Sequence, residues 1–117
     1  MALGRLFHFI ATPLFEAAAK KLLTEEDRRH LEVLLIRNPL AGQIIERTGG
    51  IRKMRFGRPS RREGKSGGTR VIYYFVDRKD RIYLIDVYGK NVKADLTRAE
   101  ENRLSKLVKL LDEEEHE

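Results

Sequence analysis

The chain contains no cysteine, so a disulfide framework, a thiolate nucleophile and cysteine-ligated zinc are all closed to it. That is compatible with a reducing cytoplasm. Long apolar runs are missing too, and nothing approaches membrane-spanning length. Residues 1–10 carry one charge and a short apolar patch, without the h-region and small-residue cleavage site of a signal peptide. A cytoplasmic protein with no membrane association is therefore expected. Histidine is sparse: His8, His30 and His116 are scattered, and none has a partner at metal-ligand or triad spacing. Acidic residues gather at helix starts and at the end of the chain rather than as a paired dyad, which argues against a classical metal hydrolase or glycosidase. Gly64-Lys65-Ser66 has the look of the end of a P-loop, but Pro59 stands where that motif needs its first glycine.

What is abundant is positive charge, concentrated in one place. The 117 residues suffice for one hydrophobic core and carry a net charge of +6. Between Arg47 and Arg70 stand nine basic residues (Arg47, Arg52, Lys53, Arg55, Arg58, Arg61, Arg62, Lys65 and Arg70) against the single acid Glu63. That segment holds +8 and leaves −2 for the remainder. Such concentration points to a polyanion site, weighed against a loop that merely happens to be basic.

Local patterns give the elements. Leu6 to Ile10 reads as a strand, and Thr12-Pro13 as an N-cap with proline at the first helical position. The helix that follows carries Leu14, Phe15, Ala17, Ala18 and Leu22. Thr24 caps a second helix with Glu25, Glu26 and Asp27 in its first turn and a buried stripe of Leu31, Leu34 and Leu35, ending at Asn38-Pro39. An irregular stretch from Leu40 and the turn Thr48-Gly49-Gly50 precede a strand over Ile51 to Phe56. Gly57 to Gly68 reads as a mobile loop. Thr69 to Val76 and Arg81 to Tyr88 form a hairpin about the polar turn Asp77 to Asp80. Thr97 and Glu100 make a capping box for a last helix with Leu104, Leu107, Val108 and Leu111 on its stripe, and the acidic end, Asp112 to Glu117, is expected to fray. The expectation is one α+β domain over residues 1–117: an antiparallel sheet, two N-terminal helices on one face and a C-terminal helix.

Alternation then sorts the strand residues by face. The simplest arrangement turns Met54, Phe56, Val71, Tyr73, Phe75, Tyr83, Ile85 and Val87 towards the helices, and Lys53, Arg55, Arg70, Tyr74, Asp86 and Tyr88 away. Arg52 breaks the pattern and is placed at the strand's start. With the turn at Asp77 to Asp80, Arg70 lies opposite Asp86 or Tyr88, and the loop returns Arg55 towards Arg70. The product is a cationic cleft edged by phenols, suited to phosphates and stacked bases. The competing reading is an Arg70–Asp86 cross-strand ion pair among ordinary sheet tyrosines.

Three stretches, Thr48-Gly49-Gly50-Ile51-Arg52-Lys53-Met54-Arg55, Gly64 to Tyr74, and Val87-Tyr88-Gly89-Lys90-Asn91, together resemble the HigB-like branch of the RelE-type toxins. Asn38-Pro39 with Gly42 and Asp95-Leu96-Thr97 fit the same pattern, and the likeness runs from about Phe7 to Leu111. The resemblance implies a βααβββ unit with a C-terminal helix. It implies a ribosome-dependent endoribonuclease that cleaves translated mRNA without metal or cofactor, the ribose 2′-hydroxyl attacking the adjacent phosphate. Implied partners are the ribosome with its message, a cognate antitoxin of helix-turn-helix type, and operator DNA only through the antitoxin complex.

By position, the family's basic strand residues fall on Lys53 and Arg55, its middle-strand arginine on Arg70, and its basic residue after the last strand near Lys90, with Lys93 close behind. The resemblance gives Arg55 and Arg70 the phosphorane charge, Lys53 or Lys90 a part in proton transfer, and Tyr74 or Tyr88 the orientation of base or ribose. Arg52, Arg58, Arg61, Arg62 and Lys65 become RNA anchors. The chain departs from some relatives at Asn91 and in having no tyrosine after Tyr88. Two other readings are a non-catalytic RNA or ribosome binder of this fold, and a module that mainly docks an antitoxin.

Overall fold

A computed structural model describes residues 6–64, 67–93 and 95–115. The elements follow in the order β1 (His8–Ala11), α1 (Pro13–Leu22), α2 (Glu25–Arg37), β2 (Gln43–Ile44), β3 (Arg52–Phe56), β4 (Thr69–Val76), β5 (Arg81–Gly89) and α3 (Arg98–Glu115). Single 3-10 turns stand at Pro59–Arg61 and Asp77–Lys79. The helix starts form as their sequences require. The Thr12 side chain accepts from the Phe15 amide, with Pro13 at the first helical position. Thr24 and Asp27 close a reciprocal capping box, as do Thr97 and Glu100.

The five strands lie in the order β1-β5-β4-β3-β2. The antiparallel β3–β4–β5 meander forms as expected, and two features add to it. β1 pairs with β5 in parallel, so the sheet is mixed, and the stretch after Leu40 supplies β2, a two-residue edge strand against β3. Two residues carry no periodicity, which is why β2 leaves no sequence signal.

The sheet is covered on both faces. Phe15, Ala19 and Leu23 with Leu31 and Leu35 of α2 pack on Met54, Phe56, Val71, Tyr73, Ile82, Leu84 and Val87. On the opposite face Val108 and Leu111 of α3 pack on Ile72, Val76, Tyr83, Ile85 and Tyr88. Leu34, on the expected α2 stripe, is only partly buried at the margin of the first core. Tyr83 and Ile85 are thus on the α3 side, not the side predicted by strict alternation. The cause is a bulge: Ile72 pairs with Asp86 but Tyr73 with Leu84, so Ile85 is an extra residue and the two halves of β5 face oppositely.

Two further expectations change. Part of the acidic end is helical: α3 runs to Glu115, Asp112 accepts a 2.8 Å hydrogen bond from the Tyr74 hydroxyl, and His116 and Glu117 lie outside the described residues. The segment 57–68 is tied down over its described residues. Arg58 forms a 2.9 Å ion pair with Glu63 and also donates to the Leu22 carbonyl. Ser60 donates to buried Asp27 through its amide and its hydroxyl, the latter at 2.6 Å. Burial alone would raise the Asp27 pKa, but the hydrogen bonds from Ser60 and Thr24 outweigh it and hold the carboxyl below its ordinary value.

Candidate functional site

β3 and β4 build the site. Strand alternation puts Lys53 and Arg55 on the α3-side face of β3. The pairing sets Arg55 directly opposite Arg70, Gln43 opposite Lys53, and Tyr88 opposite Arg70. These registers depend on the loop's return. Gly67, at φ +67°, runs so close to β3 that a Cβ there would lie 2.7 Å from the Phe56 carbonyl carbon, so no larger residue fits. Two residues on, the Thr69 hydroxyl donates to the Phe56 carbonyl at 2.6 Å and fixes the start of β4 one residue before Arg70.

The result is an open groove of about 560 Å³ lined by Ala41, Gln43, Lys53, Arg55, Arg70 and Asp95, among others. Lys53, Arg55 and Arg70 come together here as the sequence predicts. Arg55 is exposed and makes no ion pair or hydrogen bond among the described residues. The Arg70 guanidinium donates to the Gly67 and Thr69 carbonyls at 3.2 and 3.0 Å, which aims it along the loop's edge. Like charges set directly opposite in a sheet repel. The Arg55–Arg70 register thus concentrates positive charge at this end of the strand pair. Asp95, from the β5–α3 connection, is the one carboxylate among the described lining residues, 3.7 Å from the Lys53 ammonium.

Beside the groove lies a tight polar cluster. Lys93 is ion-paired with Glu100 and sits over the Tyr88 ring, 4.7 Å from its centroid. That pairing lowers the Glu100 pKa. Burial raises the Asp86 pKa, with Lys93 pulling the other way. Tyr88 is buried, and its hydroxyl has no hydrogen-bond partner among the described residues. Burial, then the Asp86 and Glu100 carboxylates, push the Tyr88 phenol up, so it stays protonated near neutral pH and suits a donor rather than a base.

The other expected contacts scatter. Tyr74 is committed to Asp112 of α3 and lines a different hollow, with Pro39, Leu40 and Ile44. Arg52 stands at the strand's start, as expected, but turns to the Leu40 and Gly42 carbonyls. Arg58 is bound to Glu63, and its side chain is only 12% exposed. Lys90 is exposed in a third hollow with Gly64, Gly68 and Asn91. Arg61 and Arg62 are exposed beside the 3-10 turn. Lys65 lies outside the described residues. Sequence reasoning missed Gln43 and gave Asp95 no role. The first had no strand signal; the second stood in the motif with Leu96 and Thr97 but carried no chemistry until the fold set it against Lys53.

A mixed sheet with two N-terminal helices on one face and a C-terminal helix on the other defines a RelE-like α+β fold. No family model matches the chain. Among solved structures, the fold is similar to a double arginine-to-alanine variant of the E. coli toxin RelE in the free state: TM-score 0.52, 16% identity, covering 75% of this chain and 87% of that one. The isolated E. coli RelE toxin in a P21 crystal form aligns with TM-score 0.46 and 19% identity, over 87% of this chain and 99% of that one. No helix among the described residues is long and apolar enough to cross a membrane, and no group of three or more His, Cys, Asp or Glu among them is placed to hold a metal ion.

Proposed function

We propose that the chain is a toxin-type endoribonuclease that cuts translated mRNA on the ribosome. The observation that carries this reading is the convergence of Lys53, Arg55 and Arg70 in one open groove, with Arg55 and Arg70 opposed across the β3–β4 pair. The similarity to RelE structures supports the fold that presents this groove. The HigB-like sequence resemblance supplies the reaction.

In that reaction the 2′-oxygen bonds to the adjacent phosphorus and the bond to the 5′-oxygen breaks. The 2′-proton leaves to a base and the departing oxygen gains a proton, giving 2′,3′-cyclic phosphate and 5′-hydroxyl ends. Arg55 and Arg70 stabilise the charge on the pentacoordinate phosphorus, each such contact being worth about 10²–10³ in rate. Lys53, which lines the groove, would assist proton transfer; Lys90 lines a separate hollow and is the less favoured candidate. Tyr88 lies opposite Arg70 as a protonated donor. Arg61 and Arg62 are available to ribosomal RNA or to the message backbone. The cleavage needs no cofactor. The chain would act in the cytoplasm, restrained by an antitoxin with a helix-turn-helix domain, and would reach operator DNA only within that complex.

A second reading, RNA binding without cleavage, draws on one observation: the Tyr88 hydroxyl is buried and unpartnered among the described residues, and would have to be uncovered before it could donate to RNA. A bacterial translation extract separates the two. Primer extension on the message should show ribosome-dependent, in-frame cuts with the wild type and none with Arg70→Ala. Intact message with bound wild-type protein would select the binding reading.

A further inference from the structure

Among the described residues the groove is lined by one carboxylate, and it stands beside a groove lysine. Asp95 lies 3.7 Å from the Lys53 ammonium at the groove wall. Described residues on either side of it are held. Lys93 is ion-paired with Glu100 in the first turn of α3 and packed over the Tyr88 ring, while Thr97 and Glu100 close the helix start. Asp95 itself is 90% exposed, so its hold on Lys53 is weak and open to exchange.

We infer that Asp95 is a built-in counterion of the RNA groove, occupying Lys53 until a phosphate of the strand displaces it. It thereby lowers the groove's affinity for RNA and its response to salt. This rests on the RNA reading above and adds to it a residue that sets affinity. The counterion idea has a signature that general charge does not. The ions released on binding are cations condensed on the RNA, and a Lys53 shared with Asp95 neutralises less than one phosphate and so releases less than a full share of them. When RNA takes over Lys53 in the wild type, the contact adds less than its share to the salt dependence. Once Asp95 is neutralised, Lys53 behaves as a full phosphate contact, and for single strands each contact steepens the slope of log K against log salt by about 0.7.

The test is fluorescence anisotropy with a labelled single-stranded RNA oligonucleotide, titrated at several salt concentrations. The proteins are wild type, Asp95→Asn, Lys53→Gln, Asp95→Asn with Lys53→Gln, and Glu113→Gln as a charge-matched change on the exposed side of α3. The expected result for Asp95→Asn is about three- to fivefold tighter binding at low salt and a slope steeper by about 0.7. Glu113→Gln should shift affinity less than twofold and leave the slope alone, and the gain should vanish in the double variant. If Asp95→Asn matches Glu113→Gln, or keeps its gain without Lys53, the counterion role is overturned while RNA binding stands. If the wild type binds no RNA at any salt and Asp95→Asn binds none either, both the role and the RNA reading fail.

Discussion

The β3–β4 groove and the loop that joins its two strands draw on the same basic stretch of sequence, yet the fold treats their charges in opposite ways. In the loop, Arg58 is cancelled by Glu63 and held by the Leu22 carbonyl, and Ser60 is drawn onto Asp27. Just upstream, Arg47 is claimed by Glu101 of α3 at 3.0 Å. In the groove, Arg55 stands opposite Arg70 across the strand pair, and the partner of Lys53 among the described residues is the exposed Asp95. Cations paired with partly or fully buried carboxylates hold the chain together; the groove cations are those the proposed function assigns to a ligand. A net charge summed along the sequence cannot separate the two, because Glu101 and Asp27 come from distant segments.

Arg70→Ala should give the largest effect, and it tests the groove half of this contrast. Loss of a charge-stabilising contact is expected to cut ribosome-dependent cleavage about 10²–10³-fold. The melting temperature should move by only a few degrees; the bonds lost include those to the Gly67 and Thr69 carbonyls. Arg55→Ala should lose comparable activity with still less effect on stability, because its side chain makes no hydrogen bond or ion pair among the described residues. Full activity in either variant, measured by primer extension, would break the contrast at once.

Arg58→Ala tests the other half. It strands the Glu63 carboxylate, whose side chain is only 18% exposed, and should cost about 2–3 kcal/mol in chemical denaturation. Cleavage per folded molecule should persist. If Arg58→Ala instead lost activity at unchanged stability, the loop would belong to the site.

Acid should find the same pair. The Arg58 guanidinium, working against burial, holds the Glu63 carboxyl down at about 2, from an ordinary value of 4.5. A depressed carboxyl contributes stability that is complete above the unfolded value and fades as pH falls through 4.5 towards 2. The contribution is on the order of 2 kcal/mol after allowing for partial exposure. Asp27, Glu16 and Glu100 are lowered as well and act with the same sign. Denaturation between pH 6 and 3 should show stability falling, and Glu63→Gln should flatten the lower part of that curve.

How far the sequence already showed this differs from element to element. The caps at Thr12, Thr24 and Thr97, the helices and the long hairpin are local events, written in residues a few positions apart, and they form where expected. Turn length left Arg70 opposite Asp86 or Tyr88, and the bulge decides for Tyr88; the loop's return sets Arg55 opposite Arg70, as expected. The facing of Tyr83 and Ile85 did not, because a one-residue bulge has no signature in the residues that form it and reverses every side chain beyond it. Arg58 looked like an RNA anchor because Glu63, five residues on, was counted only as one acid among nine bases.

Arg61 and Arg62 form a third group, exposed like the groove cations but outside the groove, and they give the finest test of the contrast. If orientation into the groove is what reserves a cation for the reaction, changing both to glutamine should leave the melting temperature unchanged. Arg62 holds a left-handed φ of 51° that glutamine can keep at equal strain, so the backbone gives no reason for a loss. RNA affinity should fall about twofold to fivefold, by a similar factor for every sequence, as expected of backbone contacts that position a strand without reading it. The rate of cleavage at saturating ribosomes should hold, because neither guanidinium lines the groove where the phosphate reacts. A lower saturating rate in this variant would move the reacting phosphate towards the 3-10 turn and make the loop, rather than the β3–β4 pair, the centre of the site.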